Sequence, residues 1–553
     1  ERITSFKILE ISLNINDLIY SIFFSILMFY LFNDLHKERK EKIKMKSKKN
    51  IEYGSARWGT YEDIKPYINE KFEENIIFSE TERLTYEVER EEFKYNRNHN
   101  SIIVGMPGTG KTYLYILPNL LQNKGSMVVT DTKGNTILQT GFFFKNIAKK
   151  EIKIFNTVNT NLSMKYNPFE YIKTELDILK FINILMKATD EKDTSKGEAF
   201  WRKAETLFFS AIIGYMFETL EYEDINIISF LDIINKCRVS EEENETEEVS
   251  ESVDEMFKIL EKYNEKSFAV RQYKKYLTGA KKSKSSIILS VCARISIFDI
   301  EEIRQLLSKD ELELESLSNS NSIFYIITSD SDRSLDFLTS ILYSQLIQIL
   351  YKQADERENK RFDEPVSLYL DEFKQLRIPD FEDIISTNRS RNIPIHILIQ
   401  ATSQLKEAYE KTYSSIMGNC DSYLFLGAKE KETLKDLKET LDKETIIETN
   451  GSKTYSKEKS QSQSEKNIGR ELMTMGELTK LPQDECIYIL RGVSPFRSKK
   501  YQAKNHKNYK YVYNRKTKEN SFDVKKYLEE YRKNKNQFIF SKYTKVIEYE
   551  YEE

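Results

Sequence analysis

One stretch constrains this chain more than any other. Ser101-Ile-Ile-Val104 is a short apolar run, and Gly105-Met106-Pro107-Gly108-Thr109-Gly110-Lys111-Thr112 follows it at once. These residues fit G-x-x-x-x-G-K-[ST] in full, and a helical pattern, Tyr113 to Leu121, begins directly after. Strand, glycine-rich loop and helix are the context a phosphate-binding loop requires. The residue types follow from the task. Gly105, Gly108 and Gly110 let the backbone curl until its amides point inward at phosphate. The helix start adds partial positive charge. Lys111 is expected to reach the β- and γ-phosphates, and Thr112 to offer a hydroxyl to Mg2+. A chance match is the alternative, and the strand and helix on either side argue against it.

A second element should hold the metal. Val366-Ser-Leu-Tyr-Leu370 is an apolar strand that ends in Asp371-Glu372. Asp371 is placed for the Mg2+ shell, and Glu372 would polarise the attacking water as general base. The bland alternative is a pair of acids that caps the next segment. A third strand, Ile395-His-Ile-Leu-Ile399, ends in Gln400. Ligands of open parallel sheets sit at the carboxyl ends of strands, so Gln400 is a candidate γ-phosphate sensor. It is equally a residue that starts a loop. Arg389 and Arg391 lie in Thr387-Asn-Arg-Ser-Arg-Asn392. An arginine supplied by a neighbouring subunit can stabilise transition-state charge, worth ~10³-fold or more in rate. Paired arginines are otherwise a solvated face. Lys133, in Asp131-Thr-Lys-Gly134, faces either phosphate or solvent.

Short apolar strands recur at Ser322–Thr328, Val366–Leu370, Ile395–Gln400, Tyr423–Gly427 and Cys486–Leu490, mostly separated by helical patterns. That rhythm predicts a buried, predominantly parallel sheet with helices on both faces. Residues 170–320 are mostly helical in period and read as an insertion into the α/β domain. Within it, Glu241 to Glu255 is strongly acidic and reads as a solvated loop. Residues 451–466 are low in complexity and expected to be mobile. From Arg497 onward the chain is basic and aromatic, which suits either a solvated tail or nucleic-acid contact.

The 553 residues exclude a single small module, and 31% charged against 39% apolar excludes a polytopic membrane protein. Lys plus Arg number 85 and Asp plus Glu 88, a net charge of -3, so any nucleic-acid surface must be local. Four scattered cysteines and four histidines show no metal-ligand spacing, and reduced cytosolic thiols are the plain reading. Leu18 to Phe32 is nearly all apolar, and Lys37, Arg39, Lys40, Lys42, Lys44, Lys46, Lys48 and Lys49 follow it. The run alone spans about 22 Å of a ~30 Å hydrocarbon core. Extended back to Ile11 it is long enough, and the basic flank puts the bulk of the chain in the cytoplasm. A buried core helix is the alternative. A signal peptide would carry its positive charge before the apolar run. The chain begins with Glu1 rather than Met, so an earlier transmembrane helix upstream is conceivable.

The domain layout expected is 1–50 transmembrane helix and basic flank, 51–174 first part of the nucleotide domain, and 175–320 all-α insertion. Residues 321–496 form its second part, and 497–553 a basic aromatic tail.

The motif series resembles the VirD4/TraG family of type IV coupling proteins, most of all the branch in mobile elements of Gram-positive bacteria. The residues that carry the likeness run in order. Tyr53-Gly54-Ser55-Ala56-Arg57-Trp58-Gly59 precedes the phosphate loop, and Val129-Thr-Asp-Thr-Lys-Gly134 follows it. Then come Tyr166-Asn167-Pro168-Phe169, Phe200-Trp201, Leu370-Asp371-Glu372-Phe373, Arg389-Ser-Arg391, Gln400-Ala-Thr-Ser-Gln404-Leu405 and Ile489-Leu-Arg-Gly492. The likeness spans about residues 51–530.

It implies a RecA-like motor with an inserted all-α domain, working as a ring, usually a hexamer. It implies ATP hydrolysis that moves single-stranded DNA with its relaxase into a secretion channel. Relaxosome proteins, channel components and the cell membrane are the implied partners. Lys111 and Thr112 match the family's phosphate-loop pair, Asp371 and Glu372 its acidic pair, and Gln400 its sensor-strand residue. Two features depart from the pattern. One transmembrane helix is visible where two are common, and Thr132 stands where Pro is usual. Two other functions stay open at this point: a coupling ATPase for protein cargo without DNA, and a non-catalytic nucleotide-binding assembly factor.

Overall fold

The computed structural model describes residues 28–29, 54–87, 89–90, 92–189, 198–239, 253–280, 284–319, 321–454 and 460–535. The apolar run 18–32 lies outside these apart from Met28 and Phe29, as does most of the acidic stretch. Among the described residues no helix is long and apolar enough to cross a membrane.

The described residues hold thirteen strands. They are β1 (Asn75–Ile77), β2 (Arg83–Thr85), β3 (Ser101–Gly105), β4 (Ser126–Asp131), β5 (Glu151–Asn156), β6 (Ser322–Ile327) and β7 (Val366–Leu370). Then follow β8 (Ile395–Ile399), β9 (Ser422–Gly427), β10 (Lys443–Thr454), β11 (Ser460–Glu471), β12 (Glu485–Leu490) and β13 (Phe496–Lys499). Nine form one sheet, ordered β13-β12-β9-β3-β8-β7-β4-β6-β5. From β9 to β5 every pairing is parallel, and β12 and β13 add an antiparallel edge. Strands β3, β4, β6, β7 and β8 are buried along their whole length, as their unbroken apolar runs require. This is the large, mostly parallel sheet that the spacing of apolar runs predicts.

The helical insertion has a simple topological origin. β5 and β6 are parallel neighbours, and parallel neighbours need a crossover. Here the crossover carries the helices Glu175–Thr189, Glu198–Thr219, Ile227–Val239, Val253–Tyr263, Phe268–Ala280 and Lys284–Ile295. Their core is aromatic and aliphatic, with Phe169, Phe181, Phe209 and Phe230 in ring contact. Glu205 is buried there and is neutralised by Arg294 at 3.0 Å.

Two sequence expectations need correcting. The low-complexity segment joins a long antiparallel hairpin, β10 with β11, paired from Lys443–Glu471 to Thr454–Ser460. Alternating polar residues suit a two-stranded ribbon, because neither face needs an apolar core. The hairpin belongs to a separate compact unit that takes in residues 54–57 and Lys435–Glu477. Within that unit Ser55 bridges to Glu444, and the Ala56 N–H donates to the Lys443 carbonyl at 3.1 Å. A Cβ on Gly54 would stand 2.0 Å from that carbonyl oxygen, so only glycine fits.

The tail is the second correction. Residues 500–535 are a strap over the motor rather than a solvated extension. Lys500 donates to the Leu426 carbonyl at 2.7 Å, Asn508 to that of Leu121 at 2.9 Å, and Tyr527 to that of Ile152 at 2.8 Å. Near its end Arg532 pairs with the buried Glu311 at 3.1 Å and donates to the Ser163 carbonyl. Lys500, Tyr527 and Arg532 thus serve as donors to backbone acceptors of the domain, while Lys504, Lys510, Arg515, Lys516 and Lys518 stay exposed on the outer side of the strap. The expected boundary at 496/497 falls inside β13.

Candidate nucleotide site

The parallel pairing brings the predicted residues to one edge. β3, β8, β7 and β4 are consecutive in the sheet, and at their carboxyl ends stand the phosphate loop, Gln400, Asp371 with Glu372, and Asp131. The order matters, because Gln400 is interposed between the loop and the acidic pair.

The loop is held by its own backbone. The Met106 N–H donates to the Gly427 carbonyl at the end of β9 at 3.0 Å, and the Thr109 N–H to Met106 at 3.1 Å. Thr109 Oγ1 donates to the same Met106 carbonyl at 2.7 Å. Gly108 and Gly110 adopt φ of 84° and 89°, which L side chains resist. A Cβ on Gly105 would lie 2.4 Å from Thr109 Oγ1, whereas one on Gly108 would meet open space. Pro107 and Gly108 are exposed, so the cradle opens outward. The helix after it starts wide. Thr112–Ile116 is wound with five-residue closure, the Leu117 N–H reaching the Thr112 carbonyl. Pro118 explains this, since it has no N–H for residue 114 and its ring crowds that carbonyl.

Lys111 is buried and donates to the Gly105 carbonyl at 2.8 Å, with Glu372 Oε1 at 3.7 Å. Thr112 Oγ1 donates to Asp371 Oδ2 at 3.4 Å, and the Glu372 N–H to Asp371 Oδ1 at 3.0 Å. Asp371 is 7% exposed. Burial raises its carboxyl to about 6; Lys111 opposes the rise, and Glu372 and Asp131 add to it. A buried carboxylate with excess negative charge beside a hydroxyl is a hard-oxygen donor set. It fits Mg2+, which takes one or two carboxylates plus phosphate oxygens. Thr112 and Asp371 are the residues that would hold the ion.

Glu372 has a left-handed backbone, φ 48°. Gln400 Nε2 donates to both of its oxygens, at 3.1 and 3.0 Å. Gln404 accepts from the Gln400 N–H at 2.9 Å and so fixes the turn that aims Gln400.

Other predicted residues lie elsewhere. Arg389 and Arg391 precede β8, at the opposite end of the strand from Gln400, so the structure does not bring them to this chain's own site. Arg391 is committed locally. It makes a two-pronged pair with Asp355, both contacts 2.8 Å, and lies 4.4 Å above the Tyr351 ring. The Arg389 carbonyl accepts from the Asn392 N–H at 3.2 Å, while its side chain is exposed and makes no hydrogen bond or ion pair among the described residues. Lys133 is largely exposed, pairs with Asp330 at 2.7 Å and lies within electrostatic reach of Glu372. Asp131 caps the helix Asn135–Phe142, accepting from the N–H groups of Thr136 and Ile137 at 2.7 and 3.0 Å. Sequence reasoning missed its electrostatic part in the site. The signal was present, as an acid closing a second buried strand.

A family model described as Type IV secretory system Conjugative DNA transfer matches residues 64–533, most of the chain. The chain belongs to this family. It is a coupling protein of the VirD4/TraG type, and its fold agrees with solved coupling proteins. The bacterial conjugative coupling protein TrwBdeltaN70, in an unbound monoclinic form, superposes with a TM-score of 0.57 at 14% identity, over 80% of this chain and 92% of that one. The plasmid coupling protein TrwB in complex with ADP and Mg2+ gives a TM-score of 0.56 at 13% identity, over 82% and 94%. TrwB with a non-hydrolysable ATP analogue gives 0.56 at 14%, over 81% and 93%. At these identities the likeness establishes the RecA-like fold of the family. A search among curated proteins finds no match to the sequence.

Proposed function

We propose that this coupling protein is a membrane-anchored ATPase that recruits single-stranded DNA with its relaxase and pumps it into a type IV transfer channel. The observation that carries the reading is the convergence of phosphate loop, Asp371-Glu372 and Gln400 at one sheet edge. Lys111 binds the β- and γ-phosphates of ATP, releasing the Gly105 carbonyl as it does so. Bound Mg2+ would neutralise phosphate charge and orient the phosphates. Glu372 accepts the proton of the attacking water, and Gln400 orients that carboxylate and reports the γ-phosphate. Arg389, whose side chain is exposed and makes no hydrogen bond or ion pair among the described residues, is the better candidate to complete a neighbour's site in a homo-hexamer. Arg391 instead braces the turn that presents it. The apolar run 18–32 with its basic flank anchors the chain in the cell membrane with the bulk cytoplasmic.

The test is ATP hydrolysis with and without single-stranded DNA at low salt. DNA should stimulate turnover in a salt-dependent way, and Lys111→Ala should abolish it. A wild-type rate indifferent to DNA would favour protein cargo. Nucleotide binding without turnover in an assembled ring would favour the assembly factor.

A further inference from the structure

The strap sets one of its aromatic rings against the phosphate-loop helix. Tyr113 follows directly on Thr112, at the start of the phosphate-loop helix. Its ring meets Tyr509 of the strap edge to face, centroids 6.3 Å apart and planes at 89°. Both rings are half-buried, so each keeps part of its surface open. Tyr509 is firmly held, because its neighbours bond to the far end of the same helix. Asn508 donates to the Leu121 carbonyl at 2.9 Å, and His506 Nε2 lies 3.1 Å from Gln122 Oε1.

The site has a direction. Lys111, Glu372 and Gln400 mark the γ-phosphate end, on the β8 and β7 side of the loop. The α-phosphate lies at the other end of the amide cradle, toward the first helical turn. The sugar and base must therefore leave the loop near Tyr113. There the protein offers two tyrosine rings, one of them supplied by the strap.

We propose that Tyr113 and Tyr509 seat the purine base of the nucleotide whose phosphates occupy Gly105–Thr112. The inference rests on the reading of that loop as a nucleotide site. It makes the strap part of the nucleotide site, so the C-terminal segment contributes to affinity for the nucleoside and not for the phosphates. A flat aromatic face accepts any base, but the larger purine surface gains most from stacking.

Calorimetric titration of the full chain with ATP and, separately, with inorganic tripolyphosphate tests this. Tyr509→Ala should weaken ATP about tenfold and leave tripolyphosphate unchanged. Tyr509→Trp, which keeps a stacking face, should restore ATP binding. A tenfold loss, about 1.4 kcal/mol, is the size of one base-on-ring stack. Equal losses for both ligands would mean that Tyr509 only props the loop, and no loss for ATP would mean that the base lies elsewhere. Either result overturns the proposal while the phosphate-loop reading stands. Binding of neither ligand by the wild type would remove that reading, and the proposal with it.

Discussion

Gln400 closes the end of β8 by donating its side-chain amide to both carboxylate oxygens of Glu372, at 3.1 and 3.0 Å. The contact spans two adjacent strands and joins the proposed sensor, Gln400, to the proposed general base, Glu372. It holds the carboxylate in one orientation, and arrival of a γ-phosphate would give the amide a competing acceptor. Removing the base and removing its holder should therefore differ in degree. Glu372→Gln should cut ATP turnover ~10²- to 10⁴-fold. Gln400→Ala should cut kcat by about 10- to 100-fold with little change in ATP affinity. Steady-state hydrolysis beside equilibrium nucleotide binding separates the two. A Gln400→Ala enzyme with wild-type kcat would deny the amide any part in catalysis.

The two arginines before β8 should part company. Arg391→Ala breaks the two-pronged pair with Asp355 and the stacking on Tyr351, and should lower stability by about 1 kcal/mol. Arg389→Ala should leave the melting temperature unchanged and lower turnover only in the assembled ring. Mixing Arg389→Ala subunits with Lys111→Ala subunits checks this. Activity recovered in mixed rings supports a contribution in trans, and its absence argues against one.

The strap is packed tightly enough to register a single methyl. Gly141 lies in the helix Asn135–Phe142, and a Cβ there would stand 2.4 Å from Phe522 Cγ. Gly141→Ala should destabilise the protein by about 1–3 kcal/mol, because the buried Phe522 ring must move. Phe522→Leu in the same chain should recover part of the loss. Urea unfolding of the single and double variants measures the coupling. An additive pair would mean that the strap does not pack on this helix.

Acid should weaken the fold through its buried histidines, His99, His396 and His506. Burial, with Arg389 and Arg361 nearby, lowers His99 to about 4, and burial lowers His396 to about 3. His396 lies against Tyr369 and bonds through Nδ1 to Ser101 and Tyr115. Unfolded imidazoles take up protons near pH 6.5, while the folded ones resist until much lower pH. The unfolded state thus binds more protons between these limits. The stability is complete above pH 6.5 and falls as pH drops, by at most ~1.4 kcal/mol per pH unit for each group. Asp310 and Asp371, raised to about 6 by burial, act in the opposite sense below that pH. His396→Asn isolates one share. Its unfolding free energy should change less between pH 7 and pH 5 than that of the wild type, and an unchanged slope would remove His396 from the account.

Which features could be read from the residues alone follows from the range of the interactions behind them. The phosphate loop was legible because its requirements are local: glycines at φ near 84° and 89°, a lysine and a hydroxyl at fixed spacing. Strands β3, β6, β7, β8 and β9 were legible because burial on both faces leaves an unbroken apolar run. The acidic pair was legible because it breaks such a run. The length of 553 residues and the helical period of residues 170–320 together marked the insertion.

Tertiary structure decided what depends on contacts between distant segments. Strand order set Gln400 on Glu372 and sent Arg389 and Arg391 to the far edge. Gly54 is explained only by a carbonyl almost four hundred residues downstream. The tail's composition described a solvated segment, because composition counts charges without their acceptors. Folding supplied acceptors for Lys500, Tyr527 and Arg532, as backbone carbonyls and the buried Glu311 carboxylate, and so turned the tail into a strap.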